Sequence, residues 1–226
     1  MKLPQMAVAV DLVVLTIIDG TLNLALVDRG IPPFKGSPAL PGGFVLDDES
    51  VFDAALRELK EETGLDLNAS HLEQLATFGD VDRDPRGRVV SVAYLVLAAE
   101  LGALQAGSDA SGARWHPIDQ LPPLAFDHDT ITAIGLERAK AKLEYTTIAT
   151  RFCPPPFTMA ELRSVYEAAW GIPLDARNFS RKVLGSPGFV VEDGIRAGGR
   201  GRPATLYRAG DALSLHPPIM RDPDLP

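Results

Sequence analysis

Within residues 41–66, "PGGFVLDDESVFDAALRELKEETGLD", glutamates crowd together at Glu58, Glu61 and Glu62. The surrounding residues favour a helix from Ser50 to Thr63, which Gly64 would end. On such a helix these three positions lie at i, i+3 and i+4 and share one face. Uncompensated, each like-charged pair there costs a few tenths of a kcal/mol, roughly. Either the face is simply solvated, or something positive sits against it. Converging carboxylates make a hard-oxygen site, suited to Mg²⁺ or Mn²⁺ together with phosphate oxygens. Arg57 can hold neighbouring carboxylates by charge-assisted hydrogen bonds, and Gly43 lets the entry loop turn sharply.

The stretches on either side of this helix must position it. "MAVAVDLVVLTII" and "LNLALVDR" are β-rich runs joined by Asp19-Gly20, a hairpin signal. Residues 31–43 are rich in Pro and Gly and read as loop. "LATFGDV", "RVVSVAYLVLAAE" and "ARWHPI" read as further strands, and "HDTITAIGLERAKAKLEY" as a closing helix. Strands interleaved with helices predict an α/β layered domain over residues 1–150. "CPPPF" then breaks the pattern, because three prolines cannot continue a helix.

A second domain is expected over residues 151–226. Thr158 and Glu161 form a capping-box pattern. Leu162, Val165, Tyr166, Ala169 and Trp170 follow an amphipathic helical stripe. Asp175 can cap a second helix, "ARNFSRKVL". "FVVEDG" and "ATLYR" read as two strands around a Gly/Arg loop. The order is helix, turn, helix, two-stranded wing.

Bulk composition narrows the options. With 46% hydrophobic and 23% charged residues, the 226-residue chain can build an ordinary core. A net charge of −8 argues against nucleic acid along its whole length. Residues 151–226 nevertheless hold ten Lys/Arg against eight Asp/Glu, a balance of +2, so the remainder carries −10. An acidic body with a basic tail implies two partners. A lone cysteine, Cys153, excludes an intrachain disulfide and fits a cytoplasmic protein. The apolar run at 6–18 contains Asp11 and is too short to span a bilayer, and neither a membrane anchor nor a signal peptide is expected.

Gly43, Glu49, Arg57, Glu58, Leu59, Glu61, Glu62, Gly64 and Leu65 follow the spacing G-x5-E-x7-R-E-Φ-x-E-E-x-G-Φ, with Φ aliphatic. This resembles the Nudix box at all nine defined positions. The resemblance implies a Nudix α/β/α sandwich. It also implies Glu58, Glu61 and Glu62 as metal ligands assisted by Glu49, with Arg57 among the catalytic residues if the site is hydrolytic. In such enzymes the metal clamps a diphosphate and activates water. The general base is either a box glutamate or a carboxylate outside it. The segment "RDPRG", with "VSVAYLVL" after it and "LAFDH" at 124–128, is similar to Nudix proteins that handle ADP-ribose, which makes Gly43, Arg83 and Arg86 candidate effector contacts. The alternative for the two arginines is a solvated loop. His128 is read as a capping or packing residue.

The tail resembles the winged helix-turn-helix of the Nudix-related transcriptional regulators (NrtR). The residues that carry this are "FTMAELRSVYEAAWGIPLDARNFSRKVL" and "GRGRPATLYR". Arg177, Asn178, Arg181 and Lys182 would lie on the recognition helix. Arginine and asparagine suit paired hydrogen bonds to guanine and adenine. Arg196, Arg200 and Arg202 would lie on the wing. The family implies a repressor of NAD-metabolism genes, released from operator DNA by ADP-ribose; symmetric operators go with two-fold proteins, so a homodimer is expected. One departure stands out: the box is degraded in many of these regulators and intact here. The alternative function is a Mg²⁺-dependent ADP-ribose pyrophosphatase.

Overall fold

The computed structural model describes residues 5–99, 101–106, 110–196 and 204–221. The chain divides into two compact units. One comprises Met1–Thr16 with Asn23–Glu137, the other Ile17–Leu22 with Arg138–Pro226.

The first unit is built on a seven-stranded sheet. Its strands are β1 (Ala7–Ile18), β2 (Thr21–Arg29), β3 (Pro38–Ala39), β4 (Gly42–Phe44), β5 (Leu72–Phe78), β6 (Val89–Leu97) and β7 (Ala110–Pro117). Their order is β3-β2-β1-β6-β5, with β4 also paired to β1 and β7 to β2. β1 runs parallel to β6, from Ala7 opposite Val89 to Leu15 opposite Leu97. The turn joining β1 and β2 places Asp19 at φ 49° and Gly20 at φ 75°, the left-handed geometry a two-residue hairpin needs.

β1 is apolar almost throughout because both its faces are covered. Val10, Leu12 and Val14 pack with Ala54, Ala55 and Leu59 of α1 (Val51–Thr63). Val13 alternates to the opposite face. There Gly135 of α2 (His128–Tyr145) comes so close that a Cβ would lie 2.7 Å from a Val13 methyl. One helix on each face of one sheet is the α/β/α sandwich.

In the second unit, α3 (Met159–Trp170) and α4 (Ala176–Leu184) form the helix-turn-helix. The capping box is present: Glu161 N–H donates to Thr158 Oγ1 at 3.2 Å, and Thr158 N–H to Glu161 Oε2 at 2.5 Å. All five residues of the predicted stripe are buried, as are Phe179 and Val183 of α4. Tyr166 sits edge-on to Trp170 and Phe179, with centroids 4.9 and 5.2 Å apart. The wing strands β9 (Val190–Arg196) and β10 (Ala204–Ala209) pair antiparallel. A third strand, β8 (Phe157–Thr158), adds to the free edge of β10. No helix among the described residues is long and apolar enough to cross a membrane.

Gly135→Ala sets two effects against each other. Alanine favours a helix interior by about 1 kcal/mol over glycine. The new methyl would collide with the stiff, buried Val13, and overpacking costs about 1–3 kcal/mol. The clash should win, and a lower denaturation midpoint in urea is expected. A midpoint at or above that of the parent would show that α2 is not pressed against β1.

Candidate functional site

The glutamate-bearing helix is held at both ends. Ser50 Oγ accepts from Asp53 N–H at 3.1 Å, and Gly64 closes the helix at φ 74°. The preceding strand β4 pairs with β1, Val10 opposite Gly43 and Asp11 opposite Gly42, which fixes the entry loop against α1. Gly43 has no positive φ among the backbone exceptions; close approach is what demands glycine here. A Cβ at this position would overlap the Glu58 carboxylate.

Arg57 stands at the centre of the box. Its Nε and Nη2 donate to the two oxygens of Glu49 at 2.9 and 2.7 Å. Its Nη1 reaches Glu58 Oε1 at 2.7 Å and Glu61 Oε2 at 3.1 Å, and its Nη2 also reaches the Phe44 carbonyl at 3.1 Å. Glu62 Oε2 accepts from Gly42 N–H at 2.8 Å. The positive partner of the crowded face is therefore part of the chain. Hydrogen bonds from Arg57 and Leu46 N–H hold Glu49 down at about 2. Glu58 goes the other way: burial raises its pKa despite Arg57, so the charged form is disfavoured there.

A cleft opens beside the box, lined among others by Asp11, Arg29, Phe44, Arg86, Phe126 and His128. Its floor is a buried polar network that joins distant parts of the sequence. Asp11, on β1, accepts from Ser91 Oγ at 2.5 Å and from Arg83 Nη2 at 3.2 Å. Arg83 also binds both oxygens of Asp127, at 2.9 and 2.7 Å. His128 Nδ1 accepts from Leu40 N–H at 2.9 Å, and its Nε2 faces Asp11 Oδ1 at 3.2 Å. Burial alone would raise the Asp11 pKa. His128, Ser91 and Arg83 together outweigh it and bring the carboxyl down to about 2.

The two arginines proposed as effector contacts thus stand differently. Arg83 is a buried strut between Asp11 and Asp127, with a side chain only 4% exposed. Arg86 is at the cleft mouth, clamped to Asp84 by contacts of 2.7–3.2 Å and lying over the Phe44 and Phe126 rings. His128 has a structural role, tying Leu40 to Asp11.

Among the described residues, no three His, Cys, Asp or Glu side chains are already arranged as a cation site. Arg57 holds three of the four glutamates instead. The donors nonetheless fit a hard divalent ion chemically: four carboxylates, one of them with its charged form disfavoured by burial.

On α4, Asp175 Oδ1 caps the helix through Asn178 N–H at 2.7 Å. Arg177 and Arg181 are exposed and share a face, while Asn178 and Lys182 are half-exposed. Arg181 Nη2 donates to Asn178 Oδ1 at 2.5 Å. Arg196 ends β9, whereas Arg200 and Arg202 lie outside the described residues.

Fold and site together define a Nudix domain followed by a winged helix. The NUDIX domain model matches residues 7–133, and the model of the NrtR DNA-binding winged helix domain matches residues 149–209. A relative from Acinetobacter baylyi, described as an ADPR responsive transcriptional repressor NtrR, is 34% identical over 209 residues, covering 91% of this chain and 82% of the relative. An ADP-ribose pyrophosphatase from Methanocaldococcus jannaschii is 46% identical over 125 residues, covering 55% of this chain and 70% of the enzyme. The crystal structure of Shewanella oneidensis NrtR complexed with a 27mer DNA superposes with a TM-score of 0.72 at 35% identity, covering 89% of this chain and 93% of that one. The NUDIX domain of the same protein, complexed with ADP ribose, gives 0.57 at 36% identity, covering 61% and 90%. The chain belongs to the NrtR family, in which a Nudix domain precedes the NrtR winged helix.

Sequence reasoning missed Asp11, Arg29 and Phe44 at the cleft; of these only Asp11 left a signal, as a charge inside an apolar run. Phe126 and Asp127 fell within the stretch "LAFDH" of the ADP-ribose resemblance.

The depressed Asp11 pKa makes a signed prediction. Relative to an unfolded value of 3.8, a folded value of about 2 stabilises by about 2 kcal/mol above pH 4. That stabilisation is lost as pH falls from about 4 to about 2. Asp11→Asn should therefore be less stable than the parent at pH 7, with the gap narrowing over this window in urea titrations. A gap independent of pH would rule out the ion-paired carboxylate.

Proposed function

We propose that this protein is a DNA-binding transcriptional repressor of NAD-biosynthesis and salvage genes, released from its operator when ADP-ribose occupies the Nudix cleft. One observation carries the reading. A polar, aromatic-rimmed cleft lies beside an intact Nudix box, in a chain whose second unit presents exposed arginines on the second helix of a helix-turn-helix. The named relatives support both halves: one responds to ADPR, and another has been crystallised with DNA and with ADP ribose.

In this reading Arg177, Asn178, Arg181 and Lys182 meet the DNA, with Arg177 and Arg181 reading base edges or phosphates. Arg196, Arg200 and Arg202 of the wing approach the backbone or minor groove. The protein acts in the cytoplasm as a homodimer, whose two-fold axis matches a palindromic operator. Release requires only that ADP-ribose bind the DNA-incompetent state more tightly than the competent one. Glu58, Glu61 and Glu62, assisted by Glu49, would hold Mg²⁺ or Mn²⁺, which supplies charge against the diphosphate of the ligand. The protein itself contributes Arg57, which keeps the carboxylates oriented, and Gly43, which lets the loop close onto Glu58.

A second reading, hydrolysis of ADP-ribose to AMP and ribose 5-phosphate, is favoured by the completeness of the box and by the pyrophosphatase relative. It is compatible with the first if turnover is slow enough to reset a sensor.

A gel shift on the protein's own promoter region, titrated with ADP-ribose beside a hydrolysis assay, separates the readings. A shifted band that ADP-ribose abolishes is expected. No band together with brisk turnover would sink the repressor. Arg181→Ala should weaken DNA binding by about tenfold or more, the scale of one good base contact, while leaving ADP-ribose affinity unchanged. Glu61→Gln should remove any hydrolysis, and retained turnover would place the metal ligands elsewhere.

A further inference from the structure

We infer that Arg29 is the anchor for the negatively charged part of the cleft's ligand, with the Phe126 ring as its support; this rests on reading the cleft as the effector site. Three guanidinium groups line the cleft, and their charges are compensated unequally. Arg83 has two carboxylate partners, Asp11 and Asp127. Arg86 has one, the buried Asp84. Arg29 has no ion pair among the described residues; its Nε and Nη2 donate to the carbonyls of Pro33 and Ile31 at 2.8 and 3.5 Å. It therefore leaves a full positive charge facing the cleft, where the other two are largely neutralised in place.

The environment of Arg29 is unfavourable to that charge until an anion arrives. Burial first, and then the positive Arg86, lower its pKa, with Glu62, Asp84 and Asp11 acting in the opposite sense. A phosphate group would relieve the repulsion between the two guanidiniums and form the short, paired hydrogen bonds that arginine makes with phosphate.

The side chain is also held ready. Arg29 N–H donates to the Ser37 carbonyl at 3.1 Å, and the Arg29 carbonyl accepts from Gly36 N–H at 2.8 Å, so its backbone is locked on both sides. Its guanidinium lies over the Phe126 ring, 4.7 Å from the centroid. Phe126 is braced in turn by Phe34, edge-on at 4.8 Å. Both phenylalanines have left-handed backbones, φ 56° and 60°. Such conformations are uncommon in bulky residues and gather at ligand clamps. A strained aromatic brace under an unneutralised arginine is a preorganised anion seat.

The test uses the full-length protein without divalent cations and measures, by calorimetry, the binding of ADP-ribose and of inorganic pyrophosphate. Thermal melting serves as the control for folding. Arg29→Gln should raise the Kd for both ligands by about tenfold or more, the scale of a hydrogen bond to a charged group. It should also flatten the salt dependence of binding, which a merely structural role would not change. Arg29→Lys should recover part of the affinity, since it keeps the charge but not the stacked plane. If Arg29→Gln melts below the assay temperature, Arg29→Met, with its unbranched stem on the ring, replaces it. Parental affinity for ADP-ribose in Arg29→Gln or Arg29→Met would overturn the anchor and leave the effector reading intact. Parental protein that binds pyrophosphate but not ADP-ribose would overturn the effector reading and leave the anchor, provided Arg29→Gln weakens pyrophosphate. Binding of neither ligand, with Mg²⁺ restored as well as without it, would overturn both.

Discussion

The buried carboxylate of Asp11 is the constraint on which the Nudix unit depends. It lies in the middle of a strand that is otherwise apolar and covered on both faces. An isolated charge in such a place costs several kcal/mol, so the fold must bring it partners. Those partners come from far along the chain: Ser91 from β6, Arg83 from the loop before it, His128 from the start of α2. Satisfying one carboxylate thus gathers a strand, a loop and a helix terminus around the cleft floor. Removing any one partner would leave the others buried and short of a contact, which makes the network stiff rather than merely stable.

The same logic operates with the sign reversed at the glutamate box. Carboxylates on adjacent turns repel, and Arg57 answers that repulsion from within the helix. The compensation is uneven. Glu49 takes two hydrogen bonds from the guanidinium and is strongly acidified, while Glu58 is left with its charged form disfavoured by burial. A second positive charge would be most useful at the carboxylate whose charge burial disfavours, and the missing side chain of Gly43 faces that same Glu58.

What was legible in the sequence follows from length and periodicity. The β1–β2 hairpin, α1, α2 and α3 are long enough for pattern and caps to identify them. The bounds of α2 coincide with the stretch read as helix, and the stripe on α3 is buried at every position. The strands β3, β4 and β8 span only two or three residues and carry no period. They exist because a neighbouring strand offers an edge. The box was readable because its spacing is local. The cleft floor was not, because Arg83 and Asp11 are 72 residues apart and His128 and Leu40 are 88 apart. Asp11 was noticed only as an obstacle to membrane insertion, and Arg29 ends a strand with nothing local to mark it.

An intact box need not mean that catalysis is the purpose of the site. Orienting carboxylates, excluding bulk from the entry loop and presenting a positive seat for phosphate are all requirements of tight binding to a diphosphate, before any bond is cleaved. Hydrolysis adds a further demand, a base placed against a water in line with the scissile bond. The hydrogen-bonded carboxylates around Arg57 and Asp11 are each committed to another group in this structure. Selection for a sensor therefore suffices to keep Gly43, Arg57 and the glutamates, because the arginine and the glycine are needed to stop four crowded carboxylates from pushing the loop and helix apart.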